Sequence, residues 1–524
     1  MLGLTLVPQL MEKQNPGFTG NETGGADDNS SPFFPALAQT PGNEYLSAES
    51  LMMDGYCQQC HADVHEKWQY SAHRFSSFNN PAYRFSVMKT RDAGMAKDGN
   101  THRSRFCAGC HDPVPLFSGA FDDPGFGDLD DPLASAGITC TSCHAITSIN
   151  SPRGNADFTL VEPQHYPFTF SSNPFLQWLN QQLVKAKPAF HKKTFLKPLH
   201  GQPEFCGTCH KVHLPPEVND YKWLRGQNHQ DAYHLSGVSG HGASSFYYPP
   251  KAKHKCAACH MPLQVSDDFG AAFFDNSGEL KVHDHQFAGA NTALPYLMGA
   301  PAWVNETHRK FLEGALRVDI FGLKTGGTIN SPLIAPLRPH VPVLEPGENY
   351  LLETVVRTLT PGHVFTEGTA DSNEVWLEVT LRNNDQIIGG SGQRQADGTV
   401  DPWSHFINVY MLDREGNRID RRNAEDVFTP LYNNQIPPGA ADTIHFAFHV
   451  PADLQGEISI EVKLNYRKFD TTYMRHIQAE EFERNDLPIT VIASDRIRLP
   501  INGDLHQSAE MDVTIPVWQR WNDY

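Results

Sequence analysis

Cys57-Gln-Gln-Cys60-His61 is the first of five C-x-x-C-H pentapeptides that decide how this chain folds. The other four are Cys107-Ala-Gly-Cys110-His111, Cys140-Thr-Ser-Cys143-His144, Cys206-Gly-Thr-Cys209-His210 and Cys256-Ala-Ala-Cys259-His260. Together the five use all ten cysteines of the 524-residue chain. C-x-x-C-H is the attachment signature of c-type haem, in which two thiols bind the porphyrin and the adjacent imidazole binds the iron. The motifs therefore predict five haem c groups, with the motif histidines as proximal iron ligands.

Paired cysteines also occur in disulfide frameworks, in zinc ribbons and in thioredoxin-like redox pairs. None of these explains why a histidine follows the second cysteine every time. A histidine in the fifth position of every motif favours haem attachment over all three alternatives.

The composition excludes several classes of partner and supports a cofactor-rich core. A formal net charge of −18 argues against nucleic acid or an anionic membrane surface as partner. The hydrophobic content of 39% and the mean hydropathy of −0.45 are low for a chain of this size. Porphyrins would supply the missing apolar surface. We therefore expect the first half of the chain to depend on its haems for folding.

Covalent haem attachment predicts an exported protein, in a periplasm or at the cell surface. Residues 1–10 (MLGLTLVPQL) are mildly apolar but carry no basic n-region and no clear cleavage site. They are either the stump of a signal peptide or a mature terminus. No stretch reaches the roughly 20 apolar residues that a membrane-spanning helix needs, so we expect no transmembrane segment in the mature chain.

Changes in pattern along the sequence divide it into four segments. Residues 1–44 form an extended arm, since 11–41 are rich in Gly, Asn, Asp, Ser and Pro. Phe33, Phe34 and Leu37 of this arm could dock on this molecule or on another copy. Residues 45–300 hold all five motifs among short helices and loops. Residues 301–342 connect this region to residues 343–524, with one helix near 305–316.

The segment 343–524 has the pattern of an antiparallel β-sandwich of immunoglobulin-like size. Short alternating runs rich in β-branched residues begin at Asn349, Glu374, Thr443 and Glu457, and turn signals such as Pro346-Gly separate them. The predicted fold class is therefore α+β, with a loop-rich, short-helix haem region followed by a sandwich.

The sixth iron ligand decides whether each haem is closed for electron transfer or open for catalysis. Histidines outside the motifs are numerous enough to close every iron, and six are our candidates. They are His73, His191, His213, His241, His285 and His363. His200 is an alternative to His191 before the fourth motif, and His283 an alternative to His285 after the fifth.

For three of the candidates the position in the sequence gives the reason for the choice. His213 follows His210 too closely to reach the far side of the same haem, so it would serve a neighbouring one. His241 lies between glycines, where the backbone can approach a haem. His363 heads the β region and could join it to a haem edge. The remaining histidines are interpreted as surface or propionate-contacting residues (His65, His102, His165, His229, His234, His254, His308) or as parts of the β region (His405, His445, His449, His476, His506).

Trp68-Gln-Tyr-Ser-Ala-His73 and the motif contexts Phe106-Cys-Ala-Gly-Cys-His-Asp-Pro and Cys256-Ala-Ala-Cys-His-Met-Pro resemble the cytochrome c554-like superfamily over about residues 50–290. In that superfamily the histidine at the position of His73 ligates a neighbouring haem. The resemblance specifies haem type and number but no reaction, because members include electron carriers, enzymes and subunits of extracellular filaments. The chain lacks the C-x-x-C-K motif of nitrite reductases, and we find no counterpart of the tyrosine cross-link of hydroxylamine oxidoreductase.

Three functional hypotheses follow. The first is electron transfer through mostly bis-histidine haems, to redox partner proteins or extracellular acceptors, by a single molecule or by a homo-oligomer such as a cytochrome filament. The second is an oxidoreductase acting on a small nitrogen or sulfur compound at one open haem. A basic pocket from Lys192, Lys193, Lys251, Lys253 and Lys255 would support it. In the third, the β region binds a partner or surface polymer. We favour the first, in which the protein is not itself an enzyme.

Overall fold

The computed structural model describes residues 31–243 and 251–503. Within those ranges the first region is built from short helices. They are α1 (Ala48–Leu51), α2 (Asp54–Gln58), α3 (Ala62–Trp68), α4 (Pro81–Asp98), α5 (Arg105–His111), α6 (Pro113–Ser118), α7 (Cys140–His144), α8 (Pro174–Ala186), α9 (Pro188–Phe195), α10 (Pro203–His210), α11 (Pro216–Asn219), α12 (His229–Leu235), α13 (Ala257–His260), α14 (Ala293–Leu297) and α15 (Ala302–Leu312). A last helix, α16 (Thr471–Gln478), lies in the C-terminal region.

Four of the five motifs end a short helix at the motif histidine, as in α5, α7, α10 and α13. The first motif differs, because α2 ends at Gln58 and His61 precedes α3. Cysteines three positions apart lie on one face of a helical turn, and so does the residue after them. The local fold therefore points both thiols and the imidazole to the same side.

The helix α4 is the longest of the first region and forms one wall of its interior. Asn80 caps it by accepting hydrogen bonds from the backbone N–H groups of Ala82 and Tyr83, and Pro81 occupies its first turn. It ends at Gly99, whose φ of 71° suits a glycine. Ala82, Val87, Thr90 and Arg91 are buried.

The described end of the N-terminal arm packs against its own molecule. Phe33 is fully buried, and its ring centre lies 4.9 Å from that of Phe117. The backbone N–H of Leu37 donates to the Asn155 carbonyl at 3.0 Å. The sequence left open whether the arm docks on its own molecule or on another copy. Residues 31–41 dock on their own molecule. Residues 1–30, including the predicted signal stump, lie outside the described residues.

The strands of the first region form small hairpins, and longer strands build the C-terminal region. The hairpin strands are β1 (Ile146–Ile149), β2 (Phe158–Leu160), β3 (Lys211–Leu214), β4 (Leu224–Asn228), β5 (Leu263–Val265) and β6 (Lys281–His283). The later strands are β7 (Leu316–Thr325), β8 (Leu333–Ile334), β9 (Asn349–Thr358), β10 (Glu374–Asn383), β11 (Gln386–Ser391), β12 (Val409–Leu412), β13 (Thr429–Asn433), β14 (Ala441–His449), β15 (Glu457–Arg467) and β16 (Thr490–Pro500).

Two four-stranded antiparallel sheets, ordered β11-β10-β15-β16 and β14-β9-β7-β8, pack face to face. One apolar cluster joins them, with Val375 and Leu464 from the first sheet and Leu352, Val356 and Ile444 from the second. Burial alternates along most of β15 and β16, as the sequence pattern requires, whereas consecutive residues are buried in the first halves of β9 and β10. The predicted α+β class with an antiparallel sandwich is confirmed.

The sheet begins earlier in the chain than the sequence pattern indicates. Strand β7 lies inside the expected connecting segment 301–342, after α15, and pairs with β9 from Leu316 to Thr325. Its burial alternates in the same way as that of the later strands. Residues 316–325 are therefore part of the sandwich rather than of a linker.

The two regions meet where α16 packs against α4. The Tyr473 hydroxyl donates to the Ala82 carbonyl at 2.8 Å and lies 2.8 Å from the Ser86 hydroxyl. Ala82, Phe469, Tyr473 and Met474 share a small apolar cluster. Among the described residues, no helix is long and apolar enough to cross a membrane.

Candidate haem-binding cavity

A continuous cavity of about 5290 Å³ runs through the first region and along its border with the sandwich. Ordinary small-molecule pockets occupy about 300–1,000 Å³, so this space is several times too large for a single substrate. Every cysteine and histidine of the five motifs lines it. The residues present therefore fit several porphyrins attached to one shared interior.

Thiols of different motifs lie side by side in this cavity. Interactions between cysteine side chains join Cys57 to Cys140, Cys110 to Cys209 and Cys206 to Cys256. Cys143 is in addition close enough to Cys209 for its pKa to be raised by that thiol, after the larger effect of burial. The first motif thus adjoins the third, and the fourth adjoins the second, third and fifth.

Three of the motif histidines are oriented by a hydrogen bond from Nδ1 to a backbone carbonyl. A backbone carbonyl accepts from Nδ1 of His111 (Ser76, 3.0 Å), His144 (Phe195, 2.6 Å) and His260 (Ala288, 2.7 Å). Because a carbonyl can only accept, Nδ1 carries the proton and Nε2 keeps a free lone pair for a metal.

His61 is oriented in the same way, but by a carboxylate. Its Nδ1 lies 2.7 Å from Oδ1 of Asp268. The carboxylate therefore fixes the tautomer and the orientation of this ring.

Burial also favours the neutral form of four motif histidines, which is the form that binds a metal. It lowers the pKa of His111 and of His210 to about 4. It lowers the pKa of His144 and of His260 as well.

Three histidine pairs have the spacing of two axial ligands. With metal–imidazole bonds of about 2.0–2.1 Å, the ring centres of two axial histidines lie about 6.4 Å apart. The ring centre of His61 lies 6.1 Å from that of His191. The His73–His210 and His260–His363 distances are both 6.2 Å. The structure thus brings His191 opposite His61 of the first motif. It brings His73 opposite His210 of the fourth motif and His363 opposite His260 of the fifth.

His285 lines the cavity near the third motif. Its Nδ1 donates to the His283 carbonyl at 2.8 Å, which leaves Nε2 free. Burial lowers its pKa to about 4, and His144 is the neighbouring charge with the largest effect. His200, the alternative to His191, has its ring centre only 4.8 Å from that of His144. Its Nδ1 accepts from the Lys197 backbone N–H, so its Nε2 carries the proton and is unsuited to a metal.

The structure does not bring His213 or His241 to the cavity lining. His213 is buried in β3, with its ring stacked 5.4 Å from that of Trp223. His241 is exposed and lies 5.5 Å from His234.

His229, which the sequence indicates as a surface or propionate-contacting residue, lines the cavity. Its ring centre lies 5.3 Å from that of His210 and 4.7 Å from that of His363. No local pattern marks it, because its neighbours come from the fourth motif and from the C-terminal region.

The lysines of the predicted basic pocket do line the cavity in part. Lys192, Lys251, Lys253 and Lys255 contribute to the lining. Lys193 is exposed.

Comparison with known proteins finds a family that part of the chain resembles. Residues 56–145, which contain the first three motifs, match the family model "Cytochrome c554 and c-prime". No curated protein matches the sequence.

Solved structures with similar backbones include a penta-haem cytochrome c552 from Thermochromatium tepidum. It is 16% identical, with a TM-score of 0.49, and the match covers 87% of this chain and 99% of that one. Two others are the C-terminal domain of Wzt (10% identity, TM-score 0.17, 39% and 83% covered) and Spo0M of Bacillus subtilis (13% identity, TM-score 0.15, 36% and 51% covered).

The motifs, the shared cavity and the family match agree on the cofactor and on its use. Haem c supplies an iron that exchanges single electrons, and the protein surrounds it with apolar side chains and imidazoles. The chain is a multihaem electron-transfer cytochrome of the c type, and its residues 56–145 are similar to the family of cytochrome c554 and c-prime.

Proposed function

We propose that the chain binds five haem c groups, one at each C-x-x-C-H motif, and passes electrons between them. The observation that carries this proposal is the continuous cavity, because all five attachment sites open into it rather than into separate pockets. Haems that share one interior can lie in contact, and short separations favour rapid electron exchange.

The thiol contacts support a branched order of the haems. The first motif adjoins the third through Cys57 and Cys140, and the third approaches the fourth through Cys143 and Cys209. The second and fifth motifs join the fourth through Cys110 and Cys256. The fourth haem would therefore be the branch point, with electrons entering or leaving at the first, second and fifth.

The histidine pairs support closed irons at three haems. His61 with His191, His210 with His73 and His260 with His363 would hold the iron of the first, fourth and fifth haem. A second histidine leaves no room for a substrate, so these irons would only carry electrons. His285 is our proposed ligand for the third haem, while His213 and His241 are less favoured because they lie outside the cavity lining.

We infer that the protein works after export, in a periplasm or at the cell surface, where c-type haem is attached. The segment around His191 supports a docking role for partners. Between Glu162 and Glu204 there is no acidic residue, and five lysines occur in a chain of net charge −18. Phe175 and Trp178 of this segment are 66% and 53% exposed. Such a surface fits an acidic redox partner or an acidic face of another copy in a filament.

The test combines a haem count with electron paramagnetic resonance of the oxidised protein. Pyridine haemochrome analysis should give five haems per chain, and the spectrum should contain low-spin signals from the histidine-paired irons. The variant His191→Ala should convert one low-spin iron to high spin, whereas the control His165→Ala should not. A count below five, or an unchanged spectrum in His191→Ala, would contradict the proposal.

The filament proposal has its own test. Electron microscopy and sedimentation at low and high salt should show assemblies that dissociate as salt rises. The double variant Lys185→Glu, Lys187→Glu should remain monomeric. Assemblies that survive the charge reversal would exclude this surface.

A further inference from the structure

The loop between β5 and β6 follows the fifth motif in sequence but packs against the first. Oδ1 of Asp268 in this loop accepts a hydrogen bond from Nδ1 of His61 at 2.7 Å. The Ser266 hydroxyl donates to Oδ2 of Asp63, two residues past His61, at 2.7 Å. The same hydroxyl accepts from the backbone N–H of Asp268 at 3.0 Å. Two contacts therefore fix the loop on the first motif and hold the Asp268 carboxylate against the imidazole.

In the part of the chain that the structure describes, Asp268 is the only carboxylate that pairs with Nδ1 of a motif histidine. The corresponding partners of His111, His144 and His260 are backbone carbonyls. A carbonyl is neutral, whereas an ionised carboxylate carries a full negative charge. The first haem site therefore differs from the second, third and fifth in the charge behind its proximal ligand.

The surroundings of Asp268 preserve its charge and shield it from water. Its side chain is only 1% exposed. The backbone N–H of Gly270 donates to the same Oδ1 at 2.7 Å, and two N–H donors on a carboxylate favour the ionised form. No lysine or arginine of the described residues forms an ion pair with Asp268. The negative charge is therefore weakly screened at the first haem site.

The same loop borders the surface that we propose for partner docking. Phe269, next to Asp268, is 70% exposed. Nζ of Lys185, from α8, lies 5.3 Å from the centre of its ring. Lys185 is itself exposed, so water and salt screen its charge more than that of the buried carboxylate. A partner docked on α8 would therefore lie beside the loop that carries Asp268.

We propose that Asp268 lowers the reduction potential of the first haem and so makes this haem the entry point for electrons. The inference rests on the proposed attachment of a haem at Cys57 and Cys60, and it deepens the electron-transfer proposal. Reduction adds one electron to a ferric iron, and a fixed negative charge behind the iron ligand opposes that addition. The electron comes from an external one-electron donor protein and passes to the third haem, whose motif adjoins the first through Cys57 and Cys140. Asp268 is a positioning residue, because it acts through His61.

The test is a potentiometric titration of the holoprotein, followed by electron paramagnetic resonance and by the haem absorption spectrum. The first haem is identified by the low-spin signal that is lost in His191→Ala. In the unchanged protein this haem should be the last to be reduced. Asp268→Asn keeps an oxygen that can accept from His61 but removes the charge. It should raise the ferrous-to-ferric ratio of the first haem at a fixed potential about 10-fold, which is about 59 mV for one electron.

Two further variants separate the contact from other effects. Asp267→Asn is the matched control, because it removes the same charge from the exposed neighbouring residue and should shift the potential much less. Asp268→Glu keeps the charge and should hold the potential close to that of the unchanged protein. If Asp268→Asn does not fold, Asp268→Glu and the order of reduction in the unchanged protein still test the inference.

Four outcomes would overturn the inference. They are an unchanged potential of the first haem in Asp268→Asn, an equal shift in Asp267→Asn, a rise in Asp268→Glu as large as that expected for Asp268→Asn, and reduction of the first haem before the others. In each case a count of five haems leaves the electron-transfer proposal standing, whereas a haem missing from Cys57 and Cys60 would refute both.

Discussion

The two halves of the molecule build their interiors from different materials. The haem region has helices of no more than 18 residues around a cavity of about 5290 Å³. The sandwich has two four-stranded sheets whose core residues, such as Leu464 and Val375, are fully buried against each other. Side chains fill the interior of the sandwich, whereas the interior of the haem region contains the cavity. The difference teaches that the sequence of the first region encodes a shell for cofactors, while that of the second encodes a self-sufficient core.

Removal of the haems should have the largest effect and should be confined to one region. Without the cofactors the apolar walls of the cavity are exposed to water, so the first region should lose its whole folding free energy, of the order of 5–15 kcal/mol. Hydrogen exchange on protein expressed without haem attachment should show protection in β9, β10 and β15 and none in α5, α7 or α10. Equal loss of protection in both regions would mean that the sandwich also depends on the haems.

A cavity in the sandwich core should destabilise the sandwich and leave the haem region unchanged. Leu464→Ala removes a fully buried side chain between the sheets and should lower the free energy of unfolding of this region by about 2–5 kcal/mol. The absorption spectrum of the haems should not change at temperatures where the sandwich remains folded. Leu431→Ala is the control, since that side chain is 60% exposed and its loss should cost less than about 0.5 kcal/mol.

The variant His363→Ala tests whether a histidine of the C-terminal region ligates a haem of the first region. Loss of the imidazole paired with His260 should convert one iron from low to high spin in the oxidised protein. His445→Ala, which removes a histidine paired with Glu353 at 3.1 Å on the sandwich, should leave every iron unchanged. Identical spectra for the two variants would remove His363 from the ligand set.

Tyr473→Phe should produce the smallest effect. It deletes the hydroxyl that donates to the Ala82 carbonyl and contacts Ser86 across the border of the two regions. The expected loss is about 1 kcal/mol, measured by denaturant titration with haem absorbance as the signal. Tyr410→Phe, on β12, serves as the control and should be neutral. A Tyr473→Phe effect above about 3 kcal/mol would show that the regions fold as a single unit.

Sequence reasoning found those features that local pattern specifies. Strand β9 begins at Asn349 and β15 at Glu457, where the alternation of apolar and polar residues begins. Strand β7 was missed because the predicted helix was extended to residue 316, past Gly314, whose φ of 74° separates α15 from the strand. The five C-x-x-C-H motifs are local patterns as well, and the proposed haem count rests on them.

The pairing of histidines could not be predicted, because it depends on contacts between distant parts of the chain. His73 and His210 meet only through the folded cavity, and so do His229 and His363.

The proposed pair His260–His363 also affects how the protein is made. In the proposed export the N-terminus would leave the cell first, so the first four motifs would be available for haem attachment before residue 363 follows. The proposed second ligand of the fifth haem lies beyond β9, so this iron would gain its second histidine only after the start of the sandwich has followed. A chain truncated before residue 363 would then keep all five attachment motifs but lack the second histidine of the fifth haem.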